Sequence, residues 1–386
     1  MRPAAPQRFA VVGIPDNRRV AFFRRAVRAA GLPEPRVVPW LDVLHDRARF
    51  LPGEIVRIDS PGEDPEVDLL LRGAEDPARV EGTGRWYARF TQAVRSVAQA
   101  VETAGGTLLD DAADVAVLFD KRLCHERLGS AGVAVPPSPT SGAAAPVVRG
   151  WDDVRAVLGR PCFQRVFVKL AHGSSASGVL AVEVAGGGRI RATTSVERTP
   201  DGRLFNSLRL RRYTGESEIA AIVDTLAPDG LHIERWLPKA LQHGRAADLR
   251  VVVVAGRATH AVVRTSRSPL TNLHLGGLRG DLAEAGTAVR AAGRSWRDDV
   301  LGLAERAAAL FPETLCVGVD LLPATGWRRF AVGEVNAFGD LLPGLTGLPG
   351  SGAEGLDTYA AQVAAALPPH HEEQPCTTQP LTAGPA

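Results

Sequence analysis

Two apolar runs near the C-terminus, Cys316-Val317-Gly318-Val319-Asp320-Leu321-Leu322 and Phe330-Ala331-Val332-Gly333-Glu334-Val335-Asn336, are joined across the turn Ala324-Thr325-Gly326. Both read as strands of one hairpin. Alternate residues of a strand share a face, so Glu334 and Asn336 point the same way. Asp320, near the middle of the preceding strand, can face them across the hairpin. Two carboxylates and one amide oxygen are hard donors. They suit Mg2+ that keeps some of its waters and bridges nucleotide phosphates. The competing reading is a polar face open to solvent. Against it, both strands are otherwise apolar, and acids buried without cations are costly.

Working outward, the next signal is scarcity. Lys121, Lys169 and Lys239 are the only lysines among 45 basic residues. A lysine is a compact charge on a flexible stem and can make a slim phosphate contact, where the arginine fork imposes its own geometry. Lys121 follows Asp120 at the end of an apolar run. Lys169 ends Val166-Phe167-Val168 and precedes Ala171-His172-Gly173-Ser174-Ser175-Ala176-Ser177-Gly178, after which Val179–Val184 reads as a second strand. Strand, Gly/Ser loop and strand make a hairpin flap whose N–H groups can wrap phosphate oxygens. It is not a Walker A loop, and Gly/Ser turns between strands are common. For Lys239 alone, codon bias is an adequate account.

Two further stretches carry weaker signals. His232-Ile233-Glu234-Arg235-Trp236-Leu237-Pro238 is a strand ending in a Pro-limited turn that can offer backbone N–H and C=O groups to an adenine edge. A core strand running into a loop explains it equally well. Asp248-Leu249-Arg250 and Arg264 sit at strand ends, and Asn272-Leu273-His274-Leu275-Gly276-Gly277 follows. Arg250 and Arg264 could flank transferring phosphoryl oxygens, although most arginines in such a chain are solvated.

The rest of the chain frames these motifs. Phe9–Ile14 reads as a buried strand, and 17–30 as a helix with Val20, Phe23 and Val27 at helical spacing, closed by Gly31. Short strands are expected at 36–39 and 55–59, and a helix over 87–103. Gly13 without GxGxxG spacing is weak evidence for a dinucleotide site. Residues 1–117 are expected to form an N-terminal α/β domain with no assignable chemistry. Asp152 or Asp153 is expected to cap a short helix. Residues 186–230 read as polar strands and turns with little core content. Strands are expected at 231–237, 249–254 and 259–264, helices at 298–310 and 356–367, and a disordered tail over 368–386.

At 386 residues, two or three domains are expected. A formal net charge of +2 gives no field for nucleic acid or anionic membrane. No run is apolar enough to span a bilayer, and the N-terminus has no signal-peptide pattern. Cys124, Cys162, Cys316 and Cys376 are scattered without CxxC spacing, which fits a reducing cytosol, so a cytoplasmic location is expected. The Arg, Ala, Gly and Pro usage suggests a GC-rich bacterial genome.

In combination and in order, these motifs resemble the ATP-grasp superfamily over roughly 118–345, nearest to the branch of the ribosomal-protein glutamate ligases. The resemblance implies an α/β (α+β) fold with an N-terminal α/β domain (1–117), a small lid subdomain (118–232) and a C-terminal antiparallel-sheet subdomain (233–367). It implies that Lys121 and Lys169 contact ATP phosphates, that the flap with Gly173, Ser174, Ser175 and Gly178 closes over them, and that Glu234, Arg235, Trp236 and Leu237 hold the adenine. Lys239 would lie on the ribose side. Asp320, Glu334 and Asn336 would hold two Mg2+, with Mn2+ as an alternative ion. Arg264, with Arg250, would be catalytic and stabilise the moving γ-phosphoryl. The activity implied is ATP-dependent carboxylate–amine ligation through an acyl phosphate, on small-molecule or peptide carboxylate and amine substrates. An ATP-grasp kinase and a non-catalytic nucleotide-binding module remain open, as does a homo-oligomer. The sequence departs from the pattern in three respects, one being that the N-terminal domain shows no substrate signature. The stretch from Lys169 to Glu234 is longer than in the glutamate ligases and holds an insertion. Asn336-Ala337-Phe338-Gly339-Asp340 replaces the commoner Asn-x-x-Pro-Gly, which could reshape the acceptor side.

Overall fold

The computed structural model describes residues 7–62, 64–74, 76, 78–173 and 177–367. The expected tail at 368–386, and with it Cys376, lies outside these residues, as do Ser174 and Ser175. Three sheets organise the chain.

The first is a parallel sheet in the order β2-β1-β3-β4, with β1 at Arg8–Gly13, β2 at Arg36–Pro39, β3 at Glu54–Ile58 and β4 at Thr107–Leu108. Parallel strands need crossovers, and helices supply them. Helix α1 (Arg18–Ala29) is capped by the Asn17 side chain and buries Val20, Phe23, Ala26 and Val27 on one face. Helices α2 (Trp40–Leu44), α3 (Pro65–Arg72) and the 21-residue α4 (Thr83–Thr103) join β2, β3 and β4, and α5 (Ala112–Leu118) follows. Asp120 then caps α6 (Lys121–Ser130), placing Lys121 at its first turn.

The second sheet, the lid, is antiparallel in the order β8-β7-β6-β5-β9, comprising β5 (Arg165–Leu170), β6 (Leu180–Val184), β7 (Ile190–Arg198), β8 (Leu204–Tyr213) and β9 (Leu231–Arg235). Helices α7 (Trp151–Leu158) and α8 (Glu216–Leu226) pack on one face around Val166, Val168 and Leu170. The stretch expected to be polar and coreless therefore supplies two long strands and a helix, with Ile190, Ala192, Val196, Ile219, Ile222, Val223 and Leu226 in the lid core. Neither Asp152 nor Asp153 caps α7. Gly150 is at the cap position, and Asp224 from α8 accepts from Trp151 N at 2.7 Å. Strand β9 straddles the 232/233 boundary expected from sequence.

The third sheet runs β13-β12-β11-β14-β15, with β10 (Leu241–Gln242) against β11 (Arg245–Val254); the others are β12 (Arg257–Ser266), β13 (Leu278–Arg279), β14 (Cys316–Pro323) and β15 (Phe330–Asn336). Helix α9 (Leu282–Ala291), not foreseen from sequence, follows β13. The helix expected at 298–310 is a π-helical turn at Trp296–Leu301 continued by α10 (Gly302–Ala308). Helix α11 (Thr358–Ala366) returns to the first sheet, where Tyr359 and Val363 join Phe9, Val11, Phe23 and Val27. One continuous hydrophobic core runs from the parallel sheet to the third sheet, while the lid has its own.

Candidate active site

The β14–β15 pairing places Asp320 directly opposite Glu334 and Gly318 opposite Asn336. Opposed residues share a face, so the two carboxylates and the amide stand together. The register slips by one residue beyond Asp320, leaving Gly333 as the extra residue of a bulge. The Asn336 amide nitrogen donates to Gly318 O at 3.3 Å, which leaves its oxygen free of that bond.

Every acid here is met by a base. Arg250 grips Asp320 with both arms of its fork, Nη2 to Oδ2 at 2.9 Å. Arg264 reaches Asp320 Oδ1 at 3.0 Å and Asp248 Oδ1 at 2.8 Å. Burial alone would raise the Asp320 carboxyl, but the two guanidiniums overcome it and hold the group far below the usual carboxylate range. Asp248 is a hub that the sequence did not single out. Besides Arg264, it meets the Lys239 ammonium at 3.5 Å and the Thr271 hydroxyl, to which Lys239 also donates at 2.8 Å. Lys239 is thus tied to Thr271 and Asp248 and also lines the cavity that opens past Trp236. Burial lowers its pKa, and Asp248 offsets this only in part.

Lys121 Nζ donates to Glu334 Oε1 and to the Gly173 carbonyl, each at 2.6 Å. It therefore links β15 to the start of the Gly/Ser loop that follows β5. Gly178, at the flap's other root, has φ +67°, and a Cβ there would come within 2.4 Å of Leu170 Cδ1, so only glycine fits. His172 stacks on Tyr87 of α4 at 3.9 Å between ring centroids.

Lys169 pairs with Glu234, a close contact in which both side chains are buried, and His232 Nε2 lies 3.7 Å from the other Glu234 oxygen. Burial would lower the Lys169 pKa, but Glu234, Glu334 and Asp320 raise it. Burial would raise Glu234, yet Lys169 and His232 bring it down to about 2. The Glu234 carboxylate thus sits between Lys169 and His232. The hinge amides are also less free than expected. Arg235 N donates to Pro137 O and Trp236 N to Arg165 O, and Leu237 is the hinge residue with no hydrogen bond among the described residues. The Trp236 ring lies under the Arg165 guanidinium at 3.8 Å.

The cleft between the second and third sheets is shut. Phe167, Val179 and Ala181 on the inner lid face pack against Leu270 and Leu275, with Leu210 and Trp236 alongside. Between Lys121, Lys169, Glu234 and Glu334 a space of only about 20 Å³ remains. A larger cavity of about 340 Å³ opens outward past Trp236, Lys239 and Arg267. Cys124 borders the small space, but burial pushes its thiol up to about 12, so it is no nucleophile.

Two carboxyl groups plus an amide oxygen are a donor set that fits a hard divalent ion. No group of three His, Cys, Asp or Glu side chains suited to a metal occurs among the described residues. No helix of the described residues is long and apolar enough to cross a membrane.

Neither a known protein family nor a curated protein matches the sequence. Solved structures do match in fold. The ATP-grasp ligase PsnB complexed with a minimal precursor is 16% identical over 94% of this chain and 98% of that one, with a TM-score of 0.53. PsnB with a phosphomimetic variant of the precursor, Mg and ADP is 16% identical over 94% and 99%, with a TM-score of 0.51. Carboxyaminoimidazole ribonucleotide synthase from Aspergillus clavatus complexed with ATP is 11% identical over 93% and 76%, at 0.53. The chain has the mixed α+β fold of the ATP-grasp ligases. At these identities the likeness is one of fold and does not select a branch.

Proposed function

We propose that this protein is an ATP- and Mg2+-dependent ligase that activates a carboxylate as an acyl phosphate for attack by an amine. The observation that carries this reading is the self-neutralised cleft. Asp320 and Glu334 stand opposite each other, and their present partners are Arg250, Arg264 and Lys121. Mg2+ held by Asp320, Glu334 and Asn336 would neutralise phosphate oxygens. The cations those acids now occupy would then be released to the triphosphate, so metal and nucleotide bind as an exchange of partners. Lys121 and Lys169 hold the phosphates, and the flap between Gly173 and Gly178 closes over them. The hinge at 234–237 receives the adenine, with the Leu237 amide as its available donor.

The acceptor carboxylate oxygen attacks the γ-phosphorus, the bond to the β-bridging oxygen breaks, and ADP leaves. An amine nitrogen attacks the acyl carbon, the C–O bond breaks, phosphate departs, and the nitrogen loses its proton to water, leaving an amide. Arg264 and Arg250 stabilise charge on the moving phosphoryl group. Such chemistry needs positioning and charge neutralisation more than a protein nucleophile. The closed cleft requires the lid face to part from Leu270 and Leu275 before a triphosphate can enter, a motion usual for such enzymes. The ATP-grasp ligase PsnB is complexed with a minimal precursor, and peptides are included among the acceptors on that ground. The test is an ADP-release screen over amino acids and peptides, with amide formation followed by mass. Amide product together with ADP is expected. A stable phosphorylated product without amide would replace the ligase by a kinase.

A further inference from the structure

The turn after Asn336, where the sequence has Ala337-Phe338-Gly339-Asp340, is held from four directions. Arg19 on α1 donates to Phe338 O at 3.0 Å and to Asp340 Oδ1 at 2.8 Å. Arg57 on β3 donates to Asp340 Oδ2 at 2.8 Å, and Gln362 on α11 donates to the same oxygen at 2.9 Å. Arg250 on β11 donates to Gly339 O at 3.1 Å while its other nitrogens hold Asp320. Thr358 donates to Asp340 O at 2.7 Å. Arg57 and Asp340 are 4% and 1% exposed, and Arg57 lies over the Phe23 and Tyr359 rings. A contact chain therefore runs from Arg57 through Asp340, Gly339 and Arg250 to Asp320. A buried ion pair gives little net stability over apolar packing, but it fixes direction. Arg57 and Arg19 belong to the N-terminal domain, in which the sequence showed no chemistry.

We propose that Asp340, gripped by Arg57 and Arg19, is a positioning residue that makes the N-terminal domain part of the phosphoryl-transfer site by fixing the turn that follows Asn336. The proposal rests on the ligase reading for its kinetic arm. Its structural arm, hydrogen exchange of the turn, is independent of that reading. Three full-length variants are compared with the parent: D340A, D340N and, as the mildest, R19Q, whose side chain is partly exposed.

In D340A, kcat for ADP formation falls about a hundredfold with KM for ATP within about twofold. In D340N, whose amide oxygen still accepts from Arg57, part of that loss is recovered. In R19Q kcat falls roughly tenfold. At temperatures well below unfolding, the amides of Phe338, Gly339 and Asp340 exchange roughly tenfold faster in each variant. Unchanged exchange at the turn in R19Q and D340N overturns the proposal. A lowered Tm with kcat unchanged below it also overturns it, since a structural role alone would do that. If the parent releases no ADP with any acceptor, the ligase reading fails by itself, and the exchange measurement still decides whether the turn is held from the N-terminal domain.

Discussion

Gly318 and Gly339 meet backbone to backbone. A Cβ on Gly318 would lie 2.6 Å from Gly339 Cα, and one on Gly339 would lie 2.5 Å from Gly318 Cα and 2.9 Å from Arg250 Nη1. The turn after β15 therefore folds flat onto β14 two residues before Asp320. Adding a methyl group must push the turn off the strand. Gly318→Ala and Gly339→Ala are expected to cost about 1–3 kcal/mol in stability and to reduce ADP formation more than that loss of folded protein explains. Thermal unfolding and ADP release measured side by side check this. A full-activity Gly339→Ala protein with unchanged Tm would show that the turn does not close on β14.

Glu334 is half-exposed and paired with Lys121 through one oxygen. Its loss leaves no deeply buried charge, so Glu334→Ala is expected to fold with a Tm within a few degrees of the parent. It removes one of two acids from the donor set, and ADP formation should drop on the order of a thousandfold. Chelating Mg2+ should weaken ATP binding in the parent much more than in Glu334→Ala, because the exchange of partners needs this carboxylate. Calorimetric titration with and without chelator measures both. Equal metal dependence in the two proteins would remove Glu334 from the metal set.

The 316–336 hairpin is legible in the sequence because a period-two pattern puts Glu334 and Asn336 on one face, whereas the one-residue slip at Gly333 that sets Asp320 opposite Glu334 is not. Lys169 is legible because an apolar run ends on it. Arg57 and Asp340 are not. They are 283 residues apart, and each is one charged residue in an Arg-rich chain until tertiary approach joins them. The lid core escapes the sequence for a different reason. In β7 and β8 the buried apolar positions are Ile190, Ala192, Val196 and Leu204, widely spaced among polar residues. The packing of α8 gives that sparse pattern its meaning. The hinge amides of Arg235 and Trp236 look free along the chain, but their partners, Pro137 and Arg165, come from other segments.

The Lys169–Glu234 pair ties stability to acid pH. Glu234 has a folded pKa of about 2 against an ordinary value of 4.5. The folded state then binds fewer protons than the unfolded chain between those values. The contribution is fully present above about pH 4.5 and is lost as pH falls toward 2, with a limiting slope of roughly 1.4 kcal/mol per pH unit. Glu234→Gln leaves Lys169 buried with its nearest acid neutralised, a loss of about 3–5 kcal/mol at neutral pH. The stability gap between the parent and Glu234→Gln should narrow steadily below pH 4.5. Denaturant titrations from pH 7 to pH 2.5 read it, and a gap independent of pH would rule out this pairing as its source.

Asp110 runs the other way. Its carboxylate accepts from Ile58 N at 2.9 Å inside the same buried cluster as Arg57, Asp59 and Asp340. Burial raises it to about 7; Arg57 opposes the rise, and Asp340 and Asp59 add to it. Here the folded state binds more protons than the unfolded chain between about pH 4 and 7, so the group costs stability as pH rises through that window, by roughly 1.4 kcal/mol per pH unit. Above pH 7 both states are ionised and the cost stays constant. Asp110→Asn keeps an oxygen for the Ile58 amide and removes the charge. The variant should be more stable than the parent at pH 8, with the advantage shrinking toward pH 4. Thermal unfolding of both proteins across that range checks it. A variant less stable than the parent at pH 8 would mean that the ionised Asp110 carboxylate stabilises the fold through Arg57 instead of costing stability.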